Sequence, residues 1–398
     1  MMTYILESAL KDWDLAEKRI FVRADLNIPL QNGTIINDFR LQQTQKSIDY
    51  IIQQGGTVIL ASHLGRPVQP DDEHSLAHLL PWFKERGYAI QFAESLDKAY
   101  AFTQSMHPGS ILLLENLRFF PQEQSLDLCF AKSLARLADF YVDDAFGALH
   151  RYDTSITITP RFFNEKSRTV GFLVQRELSM LNTLLINPVR PFVLVLGGCK
   201  VHEKIALIEN LLPLADEILL CPALSFSFMN AMGMFTGKSL IDPESELICR
   251  AILERAQKIN IPILMPVDFL AADKTIHGPL TTIDAQSFTQ ESIGISIGPK
   301  TIDLYSHEIS QAKTIFYNGL MGFQDRPETL HGTRAILQAM AFSKGYTVIG
   351  GGDTVGAAET FDFANKFSFI STGGGATMTY LSGQPLPGIE AIIQQGMY

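Results

Sequence analysis

The chain repeats one alternation: a short, β-branched apolar run followed by an amphipathic stretch with helical spacing. In the first half the runs fall at residues 19–25, 57–62, 110–114 and 140–143. In the second half they fall at 192–196, 217–220, 263–267, 295–297, 314–317, 346–349 and 368–370. Runs this short and this apolar are strands buried on both faces, and parallel strands need a crossover helix between them. The pattern therefore predicts an α/β chain with two doubly wound, Rossmann-like parallel sheets. A length of 398 residues is also too great for one ordinary core. Between the two sets, residues 175–186 have helical spacing that Asn187-Pro188 stops. The expected division is 1–170, a hinge helix over 171–187, and 188–385. No repeat of solenoid period and no low-complexity tract interrupts it.

Composition narrows the class. Hydrophobic residues at 46% with 19% charged describe a folded globular chain. A net charge of −10 argues against a nucleic-acid partner. Cys129, Cys199, Cys221 and Cys249 are widely spaced and predict reduced thiols, with neither disulfides nor a zinc site. The first residues lack a signal-peptide pattern, and no apolar run approaches the ~18 residues of a membrane span. A cytoplasmic, monomeric chain without a membrane partner is expected.

Arginine is unevenly placed: twelve of sixteen precede Pro191. Ligands of open α/β sheets bind beyond the carboxyl ends of the strands. The four strand ends of the first half carry Asp25, Asn27 and Arg40, then His63-Leu64-Gly65-Arg66, then Arg118, then His150-Arg151. A lone arginine there is most simply a solvated loop residue. Arginines at four equivalent positions point to a small, multiply charged anion, because guanidinium forks grip phosphate and carboxylate in pairs of hydrogen bonds. Asp25 and Asn27 add acceptors for ligand hydroxyls. The glycine clusters lie in the second half. Gly197-Gly198 leads into Lys200 and Lys204, which share one helix face. Gly350-Gly351-Gly352-Asp353-Thr354 offers backbone donors, a carboxylate for Mg²⁺ and a capping hydroxyl. Gly373-Gly374-Gly375 repeats that geometry. Residues 233–239 imitate a Walker A loop but have three intervening residues where four are needed, so they read as a helix-ending turn. The dinucleotide fingerprint of a dehydrogenase is missing.

Taken together, these segments resemble phosphoglycerate kinase over essentially the whole chain. The resemblance rests on residues 22–30, 62–67, 143–147 with His150-Arg151, 197–205, 264–268, Asn318-Gly319, 350–354 and 371–375. It implies reversible phosphoryl transfer between 1,3-bisphosphoglycerate and ADP. The phosphoglycerate site would comprise Asp25, Asn27, Arg40, His63, Leu64, Gly65, Arg66, Arg118 and Arg151. The nucleotide, with Mg²⁺ on Asp353, would lie on Gly198, Lys200, Lys204, Asn318, Asp325, Gly351, Gly352, Asp353 and Thr354. Arg40, Lys200 and Lys204, with the amides of Gly374 and Gly375, would cage the transferring group, and the lobes would have to close for transfer. The end of the chain, 386–398, would pack back on the first domain.

The departures from the family pattern cluster on the adenosine side: Cys221-Pro222-Ala223 for a glycine run, Ser296 for aspartate, Leu320 for proline and Asp325 for glutamate. In the other lobe Asp153 stands for a histidine. The expectation is altered nucleotide affinity or base preference with the chemistry kept. The alternative is a catalytically weakened homologue that binds phosphoglycerate or a partner in regulation.

Overall fold

The computed structural model describes residue 4, residues 9–198 and residues 201–393. It divides into two compact units: Met180–Gln384 forms one, and the preceding residues together with those from Pro385 onward form the other.

In the first unit six parallel strands run in the order Ile90–Ala93, Ile111–Leu114, Thr57–Ala61, Arg19–Ala24, Phe140–Asp144, Arg168–Val170. The chain starts at the centre with Arg19–Ala24, works outward through Thr57–Ala61, and later returns to the other side with Phe140–Asp144. That reversal opens a crevice at the carboxyl ends of the central strands. The helix Phe39–Gln53 buries Leu41, Thr44, Ser47, Ile48 and Ile51, a stripe of three- and four-residue spacing, against the sheet. Val22, Leu60, Leu113 and Val142 meet that stripe from the strands. Two strands of this sheet were not expected from sequence, Ile90–Ala93 and Arg168–Val170. Both lie at the sheet's edges, and their short, partly polar sequences give little apolar signal.

The second unit has its own six parallel strands, ordered Ile263–Leu264, Glu217–Leu220, Phe192–Leu196, Thr314–Asn318, Tyr346–Gly350, Phe369–Ile370. Two of the expected runs need correction. The run at 295–297 belongs to a separate antiparallel sheet of Leu280–Asp284, Asp268–Asp273 and Ser292–Ile297. The run at 263–267 contributes only Ile263–Leu264, because Pro266 has no N–H for the ladder. The Walker look-alike is a turn beyond the helix Pro222–Ala231, with Gly233 and Gly237 at φ of +78° and +62°.

The helix Phe172–Leu185 contains the division between the units. Its first turn is tied to the first sheet: the amides of Leu173 and Val174 donate to Asp144 Oδ1 at 2.9 and 3.2 Å, and that of Phe172 to Ser47 Oγ at 2.9 Å. Burial pushes the Asp144 carboxyl up to about 7 against the pull of these donors. Gly171 is required there, since a Cβ would lie 2.2 Å from Asp144 Cγ.

At the other end of the chain, Pro387–Ile393 forms a helix on the first unit. The Gly388 amide donates to Leu149 O at 3.0 Å, and the buried Arg168 donates through Nε to Ile392 O at 2.9 Å and through Nη1 to Pro160 O and Phe163 O at 3.2 and 3.3 Å. Residues 394–398 of the expected returning segment lie outside the described residues. Arg168→Leu leaves buried carbonyls without donors, at roughly 1–3 kcal/mol for each group left unsatisfied. Urea unfolding is expected to show the first unit destabilised by about 3 kcal/mol with the second unchanged, and equal midpoints for both would refute the assignment.

Candidate functional site

The crevice of the first unit gathers the polar residues expected from its strand ends. Asp25 is nearly buried, and its Oδ1 accepts from Arg40 Nη1 at 2.9 Å. The same Nη1 donates to Asn27 O at 3.0 Å, while Asn27 Oδ1 accepts from the Gly65 amide at 2.8 Å. Gly65 sits at φ +63°, and its carbonyl accepts from Arg118 Nη1 at 2.5 Å. Asn116, fully buried, holds the turn from below: it bonds Leu64 N and O, His74 O and Arg118 N. Arg66 is exposed beside this turn.

His63 lies at the centre of the cluster. Arg23 Nη2 is 3.2 Å from its Nδ1 and Arg151 Nη1 is 3.1 Å from its Nε2. Burial first, and then the charges of Arg23, Arg118, Arg151 and Arg40, hold the imidazole well below its usual range. It is therefore neutral at pH 7, and a neutral imidazole has one acceptor nitrogen. Only one of the two guanidiniums can hydrogen-bond to it. Arg23 is fixed elsewhere, through Nε to Ser155 Oγ at 2.8 Å and Nη1 to Ala24 O at 2.5 Å. Arg151, half-buried, is the guanidinium better placed to leave the ring for an incoming anion.

In the second unit the strands Phe192–Leu196 and Thr314–Asn318 flank the corresponding reversal. Their ends approach closely: Gly197 N donates to Asn318 O at 2.7 Å, and a Cβ on Gly319 would lie 2.5 Å from the Gly197 carbonyl carbon. Lys204 Nζ donates to Asn318 Oδ1, Asn318 Nδ2 to Gly350 O at 2.7 Å, and Gly319 N to Thr354 Oγ1 at 2.9 Å. Gly351, at φ +92°, precedes the helix Gly352–Thr360, whose first turn carries the exposed Asp353. A cavity of about 490 Å³ is lined on this side by Gly197, Gly198, Lys204, Asn318, Gly351, Gly352, Asp353 and Thr354, and on the other by Ala223, Leu320, Gly322, Phe323 and Gln324. Amides, a helix N-terminus and an ammonium make the first side suited to phosphates. The second side is mostly apolar and suits a flat ring.

Several expected residues fall elsewhere. Lys200 lies outside the described residues. Asp325 is exposed and does not line the cavity; its neighbour Gln324 does. Gly374 and Gly375 are likewise not among the lining residues. Of Cys221-Pro222-Ala223 only Ala223 reaches the cavity: Cys221 is buried beneath Gly197, burial pushes its thiol up, and Pro222 opens a helix. Ser296 acts at one remove, donating to Met321 O at 3.1 Å and so anchoring the loop that presents Phe323. Arg23, Asn116, Ser155 and Glu123 were not singled out from sequence, since their roles lie in bonds between distant segments. Glu123, pushed up to about 7 by burial, accepts from Ser155 N and Oγ at 2.9 and 2.5 Å and so completes the Arg23 network.

Comparison with known proteins shows which family the chain belongs to. The family model described as phosphoglycerate kinase matches residues 10–384. A protein of that name from Bdellovibrio bacteriovorus is 38% identical over 391 residues, 96% of each chain. One from an Anaeromyxobacter species is 39% identical over 393 residues, 95% of this chain and 97% of that one. The solved phosphoglycerate kinase of Coxiella burnetii superposes with a TM-score of 0.87 at 33% identity, covering 99% of this chain and 100% of its own. That of Pyrococcus horikoshii gives 0.82 at 28% identity, with 96% and 98% covered. With an arginine-lined anion crevice on one doubly wound sheet and a phosphate-suited cavity on the other, the chain belongs to the phosphoglycerate kinase family.

Proposed function

We propose that the chain catalyses reversible phosphoryl transfer between 1,3-bisphosphoglycerate and ADP, giving 3-phosphoglycerate and ATP. The observation that carries this reading is the convergence of Arg23, Arg40, Arg118 and Arg151 on a neutral, buried His63. Arg23 anchors the ring from below, and the other three guanidiniums, gathered with it at one crevice, suit a polyanion. The relatives carry an enzyme's name, and the regulatory alternative draws no support from them.

In this reading residues 1–170 with the returning segment take phosphoglycerate and residues 188–385 take the nucleotide, with 171–187 joining them. Arg66, Arg118 and Arg151 bind the ligand's phosphate and carboxylate, and His63 donates from the nitrogen Arg23 leaves protonated. Asp25 and Asn27 orient the hydroxyl. Lys204 and the amides of Gly351 and Gly352 hold the nucleotide phosphates. Arg40, Lys200 and Lys204 compensate charge on the transferring group. No general base is needed, because the attacking phosphate oxygen is already ionised. Positioning and charge compensation supply the catalysis.

Magnesium fits the residues present. Asp353 offers a hard oxygen donor at the edge of the phosphate side, exposed and lining the cavity. Among the described residues no group of three or more acidic, histidine or cysteine side chains could hold a metal, so the ion would share its ligands with nucleotide phosphates and water. When bound it neutralises phosphate charge. No helix among the described residues is long and apolar enough to cross a membrane. The proposed state is a cytoplasmic monomer.

Arg40→Ala is expected to lower kcat by about 10²–10³-fold while the Kd for ADP stays within twofold, as for removal of one transition-state donor. Normal kcat with a raised KM for phosphoglycerate would make Arg40 a ground-state clamp only. Activity is also expected to vanish with EDTA and return with Mg²⁺, and Asp353→Asn should raise the Mg²⁺ concentration needed for half-maximal rate. An unchanged Mg²⁺ dependence would remove Asp353 from the metal's surroundings. On the apolar side, Phe323→Ala should weaken ADP binding about fivefold or more, from a lost stacking energy of ~1 kcal/mol or above. Asp325→Glu should change it less than twofold, since Asp325 does not line the cavity. Calorimetry showing the reverse ranking would overturn the assignment of the base to that side.

A further inference from the structure

One carboxylate in the crevice of the first unit has no part in the scheme above. Asp153 is 6% exposed, and its Oδ2 has no hydrogen-bond partner. It stands at the N-cap position of the short helix Thr154–Thr157 but makes no side-chain cap. The scaffold keeps it there: its carbonyl accepts from Ile156 N and Thr157 N at 3.0 and 2.9 Å, and the next residues are tied down through Thr154 Oγ1 to Gln122 O at 2.6 Å and Ser155 N to Glu123 Oε2 at 2.9 Å.

The charges around it are those of the anion site. Apart from burial, Asp153 is the strongest influence on Arg151, ahead of Asp25, Arg23 and Arg66. Among the charges acting on Arg118 and on His150 it ranks second, after Arg151. Arg118 Nε and His150 Nδ1 are also buried without partners. A buried carboxylate left without ion pair or hydrogen bond is costly. The guanidiniums on which its charge acts are those assigned to the ligand. A ligand bearing phosphate and carboxylate then meets a like charge inside its own site.

We propose that Asp153 is a built-in counter-anion of the phosphoglycerate site, which shares Arg118 and Arg151 with the ligand, weakens its hold and favours its release. In this way Asp153 sets the affinity of this chain for its polyanion. The inference rests on the reading of the first unit as the phosphoglycerate site.

The test is calorimetric binding of 3-phosphoglycerate to the full chain and to Asp153→Asn and Asp153→Glu. The Asn variant, isosteric and neutral, should bind about five- to tenfold more tightly at low salt, with the gain shrinking as salt rises. The Glu variant keeps the charge and should show no gain, and ADP affinity should be the same in all. Asp153→Ser, also neutral and able to cap a helix, carries the same expectation should the Asn variant not fold. Equal or weaker binding by a folded neutral variant, or an equal gain in the Glu variant, overturns the proposal. Wild-type protein that binds no phosphoglycerate overturns the site reading and this inference together, whereas wild-type binding without tightening in the neutral variants overturns this inference alone.

Discussion

A guanidinium withdrawn from water must have its donors met by fixed acceptors, and Arg23 is fully withdrawn. Its hydrogen bonds to Ser155 Oγ, Ala24 O and the His63 ring join three segments of the first unit. Ser155 in turn is fixed by the buried Glu123. The positions of His63 and of the segment carrying Arg151 and Asp153 follow from this one anchored cation. The crevice is thus built around a charge that never reaches the ligand. The arginines proposed to bind it are more lightly held: Arg118 keeps one unsatisfied nitrogen, and Arg151 competes for a ring nitrogen it cannot fully have. Rigidity below and unmet donors above make a surface ready for an anion.

The second unit solves a different problem with little side-chain material. Its two central strand ends come so close that Gly319 has no room for a Cβ against Gly197. Asn318 uses the space, linking Lys204 to the backbone of the next strand. An amide oxygen thus helps to direct the lysine. The contrast with Asp153 is instructive, because there a carboxylate does stand among the cations.

What sequence made legible was the periodic and the local. Buried parallel strands announce themselves as β-branched runs, and the residues that follow them, Asp25, Asn27, His63, Arg118, Lys204 and Thr354, could be read by counting forward. Edge strands such as Arg168–Val170 carry too few apolar residues to stand out. The antiparallel sheet around Asp268–Asp273 was hidden because residues 295–297 look alike in either kind of sheet. Positions that act through another residue were the least legible: Asn116 under the turn at Gly65, Glu123 under Ser155, and Ser296 under Met321. Nothing local marks them. Asp325 and Cys221 illustrate the converse, since a departure from a family pattern told where the chain differs but not whether the new side chain faces the cavity.

The C-terminal helix Pro387–Ile393 gives the chain an unusual order of completion. The first unit emerges first from the ribosome, yet Arg168 waits for the carbonyl of Ile392, more than two hundred residues later. At roughly 5–20 residues per second, the intervening unit takes on the order of ten to forty seconds to appear. During that interval the second unit can fold as one uninterrupted segment while the first still lacks the helix Pro387–Ile393. Such a chain finishes its earlier half last, and a stop before Pro387 leaves the damage in the domain made first.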